Sequence, residues 1–320
     1  MAVQALLVPL FRTADELYFL TGFVAATLGA AAAPTVSVPD GGSTKLAFAA
    51  AVDRVLVAFR LELGAFEAAV MRGDEAPSLL SLGERFDERG RLFSALAQVV
   101  RDLSDEPVCF GRALLDALDS LTDALHQEGA SSVASAVQAV FLESAEPVWV
   151  LVGDVLRSGL PIGPDATSIA LDPDFFIVAG PTATVGAAVG WTETYSVDER
   201  RLPRLLEHLA GDLLSASKAV GLLRAIGLEG TWYAADHGRA RDWRTLTSLV
   251  GERDDETLAQ RLEVYLAQAL QGPQVELQAT LRHRCGLSRL LAVIEGVSFL
   301  SIGLMGDWTE ELFLRVRSRT

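Results

Sequence analysis

The residues best suited to nucleophilic chemistry are one histidine and one cysteine late in the chain. His237 follows the apolar run 232–235, which could be a β-strand, and Cys285 follows the alternating run 275–281, which could be a strand or a helix. The two residues lie 48 positions apart. A histidine beside a thiol lowers the thiol pKa and accepts its proton, and the thiolate can then attack a carbonyl carbon. One hypothesis is therefore a catalytic dyad in which Cys285 is the nucleophile and His237 is the base.

This pair resembles the site of caspase-like cysteine proteases, in which a histidine and a cysteine follow neighbouring strands about fifty residues apart. The resemblance covers Asp236-His237-Gly238 and His283-Arg284-Cys285-Gly286. The Gln-Ala pair that precedes the cysteine in that family is replaced here by His283-Arg284, and no alternation of strands and helices is visible upstream. The resemblance implies a cysteine hydrolase. The alternative is a buried Cys285 at a helix start, with His237 in a turn.

A second group of candidate residues combines aromatic rings with charged side chains. Arginine together with tryptophan or tyrosine is the composition that binding hot spots favour. An exposed loop with scattered charges and two anchored tryptophans has the same composition, so both interpretations are open. The candidate binding residues are Trp232, Tyr233, Asp236, Arg239, Arg241, Trp243 and Arg244.

The chain lacks the common sequence motifs for cofactors and metals. It has no Gly-x4-Gly-Lys-Ser/Thr phosphate loop, no Gly-x-Gly-x-x-Gly unit between strand and helix, and no Cys-x2-Cys or His-Glu-x-x-His pair. The Gly-x-Ser-x-Gly turn of serine hydrolases is also missing from the sequence. We therefore expect neither a cofactor nor a bound metal.

The amino-acid composition indicates which classes of partner and which cellular compartment to expect. The formal charge of −15 and the pI near 4.7 disfavour nucleic acid and anionic lipid, because both attract basic surfaces. Half of the residues are hydrophobic, so the chain can fill a large core. The cysteines, Cys109 and Cys285, fit a reducing, cytoplasmic compartment. Abundant Ala, Leu and Arg, with lysine only at Lys45 and Lys218, indicate a GC-rich and bacterial genome.

Three apolar segments are candidates for membrane contact, and we interpret all three as core of a soluble protein. Residues 17–33 are at the short limit for a bilayer span. Residues 290–306 carry Glu295, and a charge is costly in lipid. Residues 175–191 contain Pro181 and several glycines. A membrane-inserting hairpin of a helical pore former is the alternative for 175–191, although the start of the chain predicts no signal peptide.

The longest helical pattern covers residues 43–72, where apolar residues recur with helical spacing. Few polar residues interrupt it, so the sequence predicts a central helix that is buried on several sides. The segments 13–16 and 196–199 have the Ser/Thr-x-x-Glu spacing of a capping box and predict helix starts. Residues 2–11, ahead of the first box, are predicted to form a short strand or an arm.

Later segments complete the predicted fold. Glu146-Pro147-Val148 predicts another helix start, because proline and an acid suit the first turn. Around residues 160–195 the helical period is lost, and short apolar runs bounded by Pro, Gly and Asp predict strands. The predicted fold is mainly α, a multi-helix bundle or irregular helical array with a small β or irregular insertion there. Residues 1–158 and 159–320 form two parts or one continuous domain.

The missing reaction motifs and the abundant apolar helical surface together predict a non-catalytic protein. We expect an interaction or assembly component in the cytoplasm, whose partners are other proteins and further copies of itself. The cysteine hydrolase and the α-helical pore former are the two alternatives.

Overall fold

Helices dominate the part of the chain that the structure describes. The structure, a computed structural model, describes residues 2–31, 42–74, 79–103, 109–160, 172, 175–179, 195–227, 243 and 258–284. The helices are α1 (Ala2–Ala31), α2 (Gly42–Arg72), α3 (Leu79–Leu103), α4 (Phe110–Gln127), α5 (Ser131–Ser158), α6 (Ala210–Ala225) and α7 (Leu258–Arg284); the strands are β1 (Ile177–Ala179) and β2 (Tyr195–Val197). The predicted mainly α fold is confirmed. The division into parts 1–158 and 159–320 stays a prediction.

Helix α5 lies at the centre of the array. It packs against α2, α3, α4 and α6, and buried side chains recur along it from Val133 to Leu156. Pro147 lies inside α5, although the sequence predicts a helix start at that position. An internal proline removes one backbone hydrogen bond, but most helix stability in proteins comes from packing of the apolar face. Burial of α5 against four helices therefore keeps it continuous.

Helix α2 differs from its predicted role as a helix buried on several sides. Its N-terminal half is buried, with Phe48, Val52 and Leu56 at most 1% exposed. Beyond Leu56 the helix continues to Arg72 with only one side covered. Gly73 then ends the helix with a φ of 79°, a left-handed conformation that favours glycine.

Helix α1 is a single helix across the predicted arm and the predicted helix start. Pro9 lies within it, and the hydroxyl of Thr13 donates to the carbonyl of Pro9 at 3.0 Å. Glu16 forms an ion pair with Arg101 of α3 and does not cap a helix start. The capping-box interpretation of residues 13–16 is therefore wrong.

Aromatic side chains hold α1, α2 and α3 together. Phe59 of α2 contacts Phe86 and Phe93 of α3 edge-on, with ring centroids 5.3 and 5.0 Å apart. Phe23 of α1 packs against Phe48 of α2 at 5.8 Å. Such edge-on and tilted contacts suit the ring quadrupoles. They hold the three helices together, and α2 and α3 also pack against α5.

The two short strands fall within or beside the predicted insertion. β1 and β2 pair antiparallel, with Val178 opposite Ser196, which confirms that the predicted insertion contains strands. The predicted helix start at 196–199 is wrong, because residues 195–197 are a strand and α6 begins at Ala210. Pairing with β1 satisfies the backbone groups of β2, and this long-range pairing overrides the local capping pattern.

Two glycines join the end of α5 to α6. Gly159 has a φ of 70°, and a Cβ built on Gly221 would lie 2.0 Å from the carbonyl oxygen of Leu160. The amide of Leu160 donates to the carbonyl of Ser217 at 3.1 Å. The two backbones therefore touch directly, with no space for a side chain.

Candidate assembly surface

The C-terminal half of α2 presents apolar side chains to solvent at a seven-residue period. The exposed side chains include Leu61, which is 69% exposed, and Met71, which is 80% exposed. Positions spaced by alternate steps of four and three residues fall within an arc of about 80° on a helix. We call these five residues the α2 stripe: Val57, Leu61, Gly64, Ala68 and Met71, all of them exposed.

Charged residues follow the edges of the α2 stripe. Arg60 and Glu67 lie on the edge nearest α1, where the Arg60 guanidinium donates to the hydroxyl of Thr21 at 3.2 Å. Arg72 lies on the other edge, and its Nε forms an ion pair with Asp74 at 2.8 Å. An apolar line with charged edges is the pattern of a helix seam that packs against another helix.

Helix α1 exposes three large apolar side chains on one side, around the exposed carboxylate of Asp15. Val8, Phe11 and Tyr18 lie on one side of the helix, and Tyr18 is 85% exposed. We call these three residues the α1 face. Single exposed apolar residues are ordinary, but two large aromatic rings on one helix face are enriched where proteins bind. The α1 face is therefore a second candidate contact.

Contacts with α3 hold α1 in position. Arg101 pairs with Glu16, and its guanidinium carbon lies 4.6 Å from the centre of the Phe19 ring. The hydrogen bond with the Glu16 carboxylate raises the pKa of Arg101. Glycine at position 90 lets α3 approach, because a Cβ there would lie 2.6 Å from the Thr13 hydroxyl. The α1 face is thus held in a fixed position relative to α2 and α3.

One predicted binding residue, Trp243, lies among the described residues, and it is 5% exposed. Its indole Nε1 donates to the carbonyl of Leu142 at 2.6 Å, and its ring lies 5.3 Å from that of Trp149. Trp243 is therefore an anchored tryptophan, as the interpretation of these residues as an exposed loop with anchored tryptophans predicts. The remaining binding candidates lie outside the described residues: Trp232, Tyr233, Asp236, Arg239, Arg241 and Arg244.

The proposed catalytic pair is not described. His237 and Cys285 both lie outside the described residues, and the dyad stays a prediction. The run 275–281 ahead of Cys285 belongs to α7 and is not a strand, so the structure contradicts that part of the resemblance. Within the described ranges, no group of three or more His, Cys, Asp or Glu side chains is placed to hold a metal ion.

A row of acids lies on α4. The pKa of Asp119 is raised, chiefly by partial burial and then by the negative charges of Asp123 and Asp116. Nearby, a cleft of about 470 Å³ is lined by residues that include Arg112, Glu199 and Glu207. Arg112 donates to the carbonyl of Glu199 at 2.8 Å, so a structural contact already engages its guanidinium. The exposed apolar side chains of α1 and α2 are therefore stronger candidates for a binding surface than this cleft.

Both exposed faces lie in a part of the chain that matches a known family. The family described as Gamma tubulin complex component N-terminal matches residues 1–283, most of the 320-residue chain. The chain belongs to this family. No curated protein is similar enough in sequence to count as a match.

Family membership confirms part of the predicted function and corrects the predicted origin. Gamma tubulin complex components assemble with other proteins, so this chain is a protein-assembly component. The family is eukaryotic, and the predicted bacterial origin is therefore wrong. That prediction rested on codon-driven amino-acid usage, and GC-rich coding sequence is not confined to bacteria.

The structure also bears on the membrane alternative. Among the helices that the structure describes, none combines the length and the hydropathy needed to cross a bilayer. Most of residues 175–191, the proposed membrane hairpin, lie outside the described ranges.

Hydrophobic spacing in residues 57–71 could have indicated the α2 stripe from the sequence alone. The signal is the small residues Gly64 and Ala68 at two of its five positions, because small residues suit a close helix contact better than a filled core. Helical periodicity alone does not show which apolar face another helix of the same chain will cover.

Proposed function

We propose that this chain is a structural component of a γ-tubulin complex and acts in the cytoplasm. The observation that carries the proposal is the α2 stripe, an exposed apolar helix face within the family-matched residues. In such a complex the chain would contribute binding surface and no chemical step.

Burial of these side chains would supply the binding energy. Covering a Leu-sized or Met-sized side chain contributes about 1.5–3 kcal/mol, and Leu61 and Met71 are both more than two-thirds exposed. Association also costs translational and rotational freedom, so several such side chains must be covered together. The α2 stripe and the α1 face provide them on helices that the ring contacts of Phe23 and Phe59 hold together.

The charge of the chain favours proteins as its partners over nucleic acid. The net charge of −15 disfavours nucleic acid, while charged residues along an apolar seam select protein partners and set their register. We include the aromatic and arginine residues at 232–244 as a further proposed protein contact, on the basis of their hot-spot composition.

The test is affinity purification of the tagged full chain from its own cells, with γ-tubulin quantified by immunoblot. Leu61→Glu and Phe11→Glu place a charge in each apolar face, and both should lower the γ-tubulin recovered at least severalfold. Val275→Glu is the matched control, because Val275 is an exposed apolar residue on α7, and it should recover as much as wild type. Absence of γ-tubulin from the wild-type sample, or equal recovery with all variants, would refute the proposal.

A further inference from the structure

The α2 stripe is close to symmetric about its middle residue. Val57 and Met71 each lie seven positions from Gly64, and Leu61 and Ala68 lie three and four positions from it. A helix face of this kind presents nearly the same pattern when it is turned end over end. Isologous two-fold contacts require such a self-complementary face.

We propose that the partner of the α2 stripe is α2 of a second copy of this chain, running antiparallel, with the two-fold axis at Gly64. The inference rests on the proposed function, since it assigns a partner to one of the surfaces used there. Val57 of one copy then faces Met71 of the partner subunit, and Leu61 faces Ala68 of the partner subunit.

The charges on the edge of the α2 stripe nearest α1 complement one another in this arrangement. In an antiparallel pair of helices, each edge of the seam faces the same edge of the other helix. Arg60 and Glu67 share an edge and lie at nearly equal distances on either side of Gly64. Arg60 of each copy therefore meets Glu67 of the partner subunit, and the pair repeats across the axis.

A parallel pairing fits the charges less well. It would bring Glu67 against Arg72 of the partner subunit, because opposite edges then face each other. Arg72 already pairs with Asp74 of its own chain at 2.8 Å. Parallel helices would also leave Arg60 opposite Ala65, which has no charge.

Small residues at the middle of the stripe permit close approach. A Cβ built on Gly64 meets no atom within 4 Å, so the space beside it is open. Ala65 and Ala68 are exposed next to it. Backbones can approach closely where side chains are small, and the large side chains of Val57, Leu61 and Met71 then pack around that contact.

The test is sedimentation equilibrium of the full chain over about 1–100 µM, a range that resolves a micromolar dimer. Arg60→Glu or Glu67→Arg turns two attractions into two repulsions and should weaken the dimer about tenfold or more. The double variant Arg60→Glu/Glu67→Arg restores both pairs with exchanged signs and should dimerise like wild type. Circular dichroism checks that every variant is folded.

Arg72→Glu is the matched control, because it reverses a charge on the opposite edge of the same helix. An antiparallel dimer should not be weakened by it, because Arg72 then lies near Arg54 of the partner subunit and faces no acid. A dimer that Arg72→Glu weakens and Arg60→Glu does not would overturn the antiparallel arrangement. A double variant that fails to recover dimerisation would overturn the Arg60–Glu67 pairing.

This inference can fail independently of the proposed function. A chain that stays monomeric to about 100 µM, yet recovers γ-tubulin from cells, refutes self-pairing and leaves the assembly role intact. A dimer that depends on Arg60 and Glu67 but recovers no γ-tubulin supports self-pairing and refutes the proposed function.

Discussion

Gly221→Ala tests whether the contact between the end of α5 and α6 has the tight geometry described above. The added methyl carbon would lie 2.0 Å from the carbonyl oxygen of Leu160, so the two backbones must separate by about 1 Å or more to restore a normal contact. That separation also strains the hydrogen bond from Leu160 to Ser217. We expect a destabilised protein, with the α5–α6 contact as the cause.

The magnitude follows from three effects. Overpacking of this kind costs about 1–3 kcal/mol, and loss of the Leu160–Ser217 hydrogen bond costs about 1 kcal/mol. Alanine recovers about 1 kcal/mol through its better helix propensity. The net expectation is a loss of about 2 kcal/mol in the free energy of unfolding, or about 0.7 M in the urea midpoint for a slope of about 3 kcal/mol per molar.

The assay is urea unfolding followed by circular dichroism at 222 nm. Gly211→Ala is the matched control, because Gly211 lies on the same helix and a Cβ there meets nothing within 4 Å. It should leave stability unchanged or raise it by about 0.5 kcal/mol. A Gly221→Ala protein with a midpoint equal to or above wild type would refute the tight contact. Equal losses in the two variants would show that the cost does not come from Leu160.

Four further outcomes are expected. Phe93→Ala empties a fully buried site and should cost about 3–5 kcal/mol in urea unfolding. Trp243→Phe removes the indole hydrogen bond and should cost about 1 kcal/mol in the same assay. The pKa of Asp119 is raised in the folded state, so the native protein binds the carboxyl proton of Asp119 more tightly than the unfolded chain does. The stability that this proton binding contributes is lost as the pH rises through the raised pKa. Asp119→Asn should therefore stabilise the protein slightly at neutral pH, and the difference should vanish below the ordinary pKa of aspartate. If the catalytic dyad exists, a thiol-reactive substrate analogue should label Cys285 selectively and lose that labelling in His237→Ala; mass spectrometry that finds no selective labelling at neutral pH refutes the dyad.

Much of the helical fold could be predicted from hydrophobic spacing, whereas helix boundaries depended on partners far away in the chain. Thr13 and Glu16 have the spacing of a capping box, yet Glu16 pairs with Arg101, 85 positions later, inside a continuous helix. Ser196 opens another such box but lies in a strand opposite Val178. Local patterns do not include these tertiary partners.

The candidate surface was harder to predict than the fold. The apolar residues of α2 predict burial on several sides, but Leu56 is buried while Leu61 is exposed. Both are leucines on one helix, and only the positions of α1, α3 and α5 distinguish them. An apolar helix face that no described helix of its own chain covers is instead available to another protein.

The most direct test of the assembly role is hydroxyl-radical footprinting of the chain within affinity-purified γ-tubulin complex. The reference is the isolated chain, diluted until it is monomeric. Oxidation of Tyr18 and Met71, 85% and 80% exposed in the free chain, should fall severalfold in the complex because partners cover both side chains. Oxidation of Val275 should not change. Unchanged oxidation of both Tyr18 and Met71 in the complex would contradict the proposal that these helix faces bind partners.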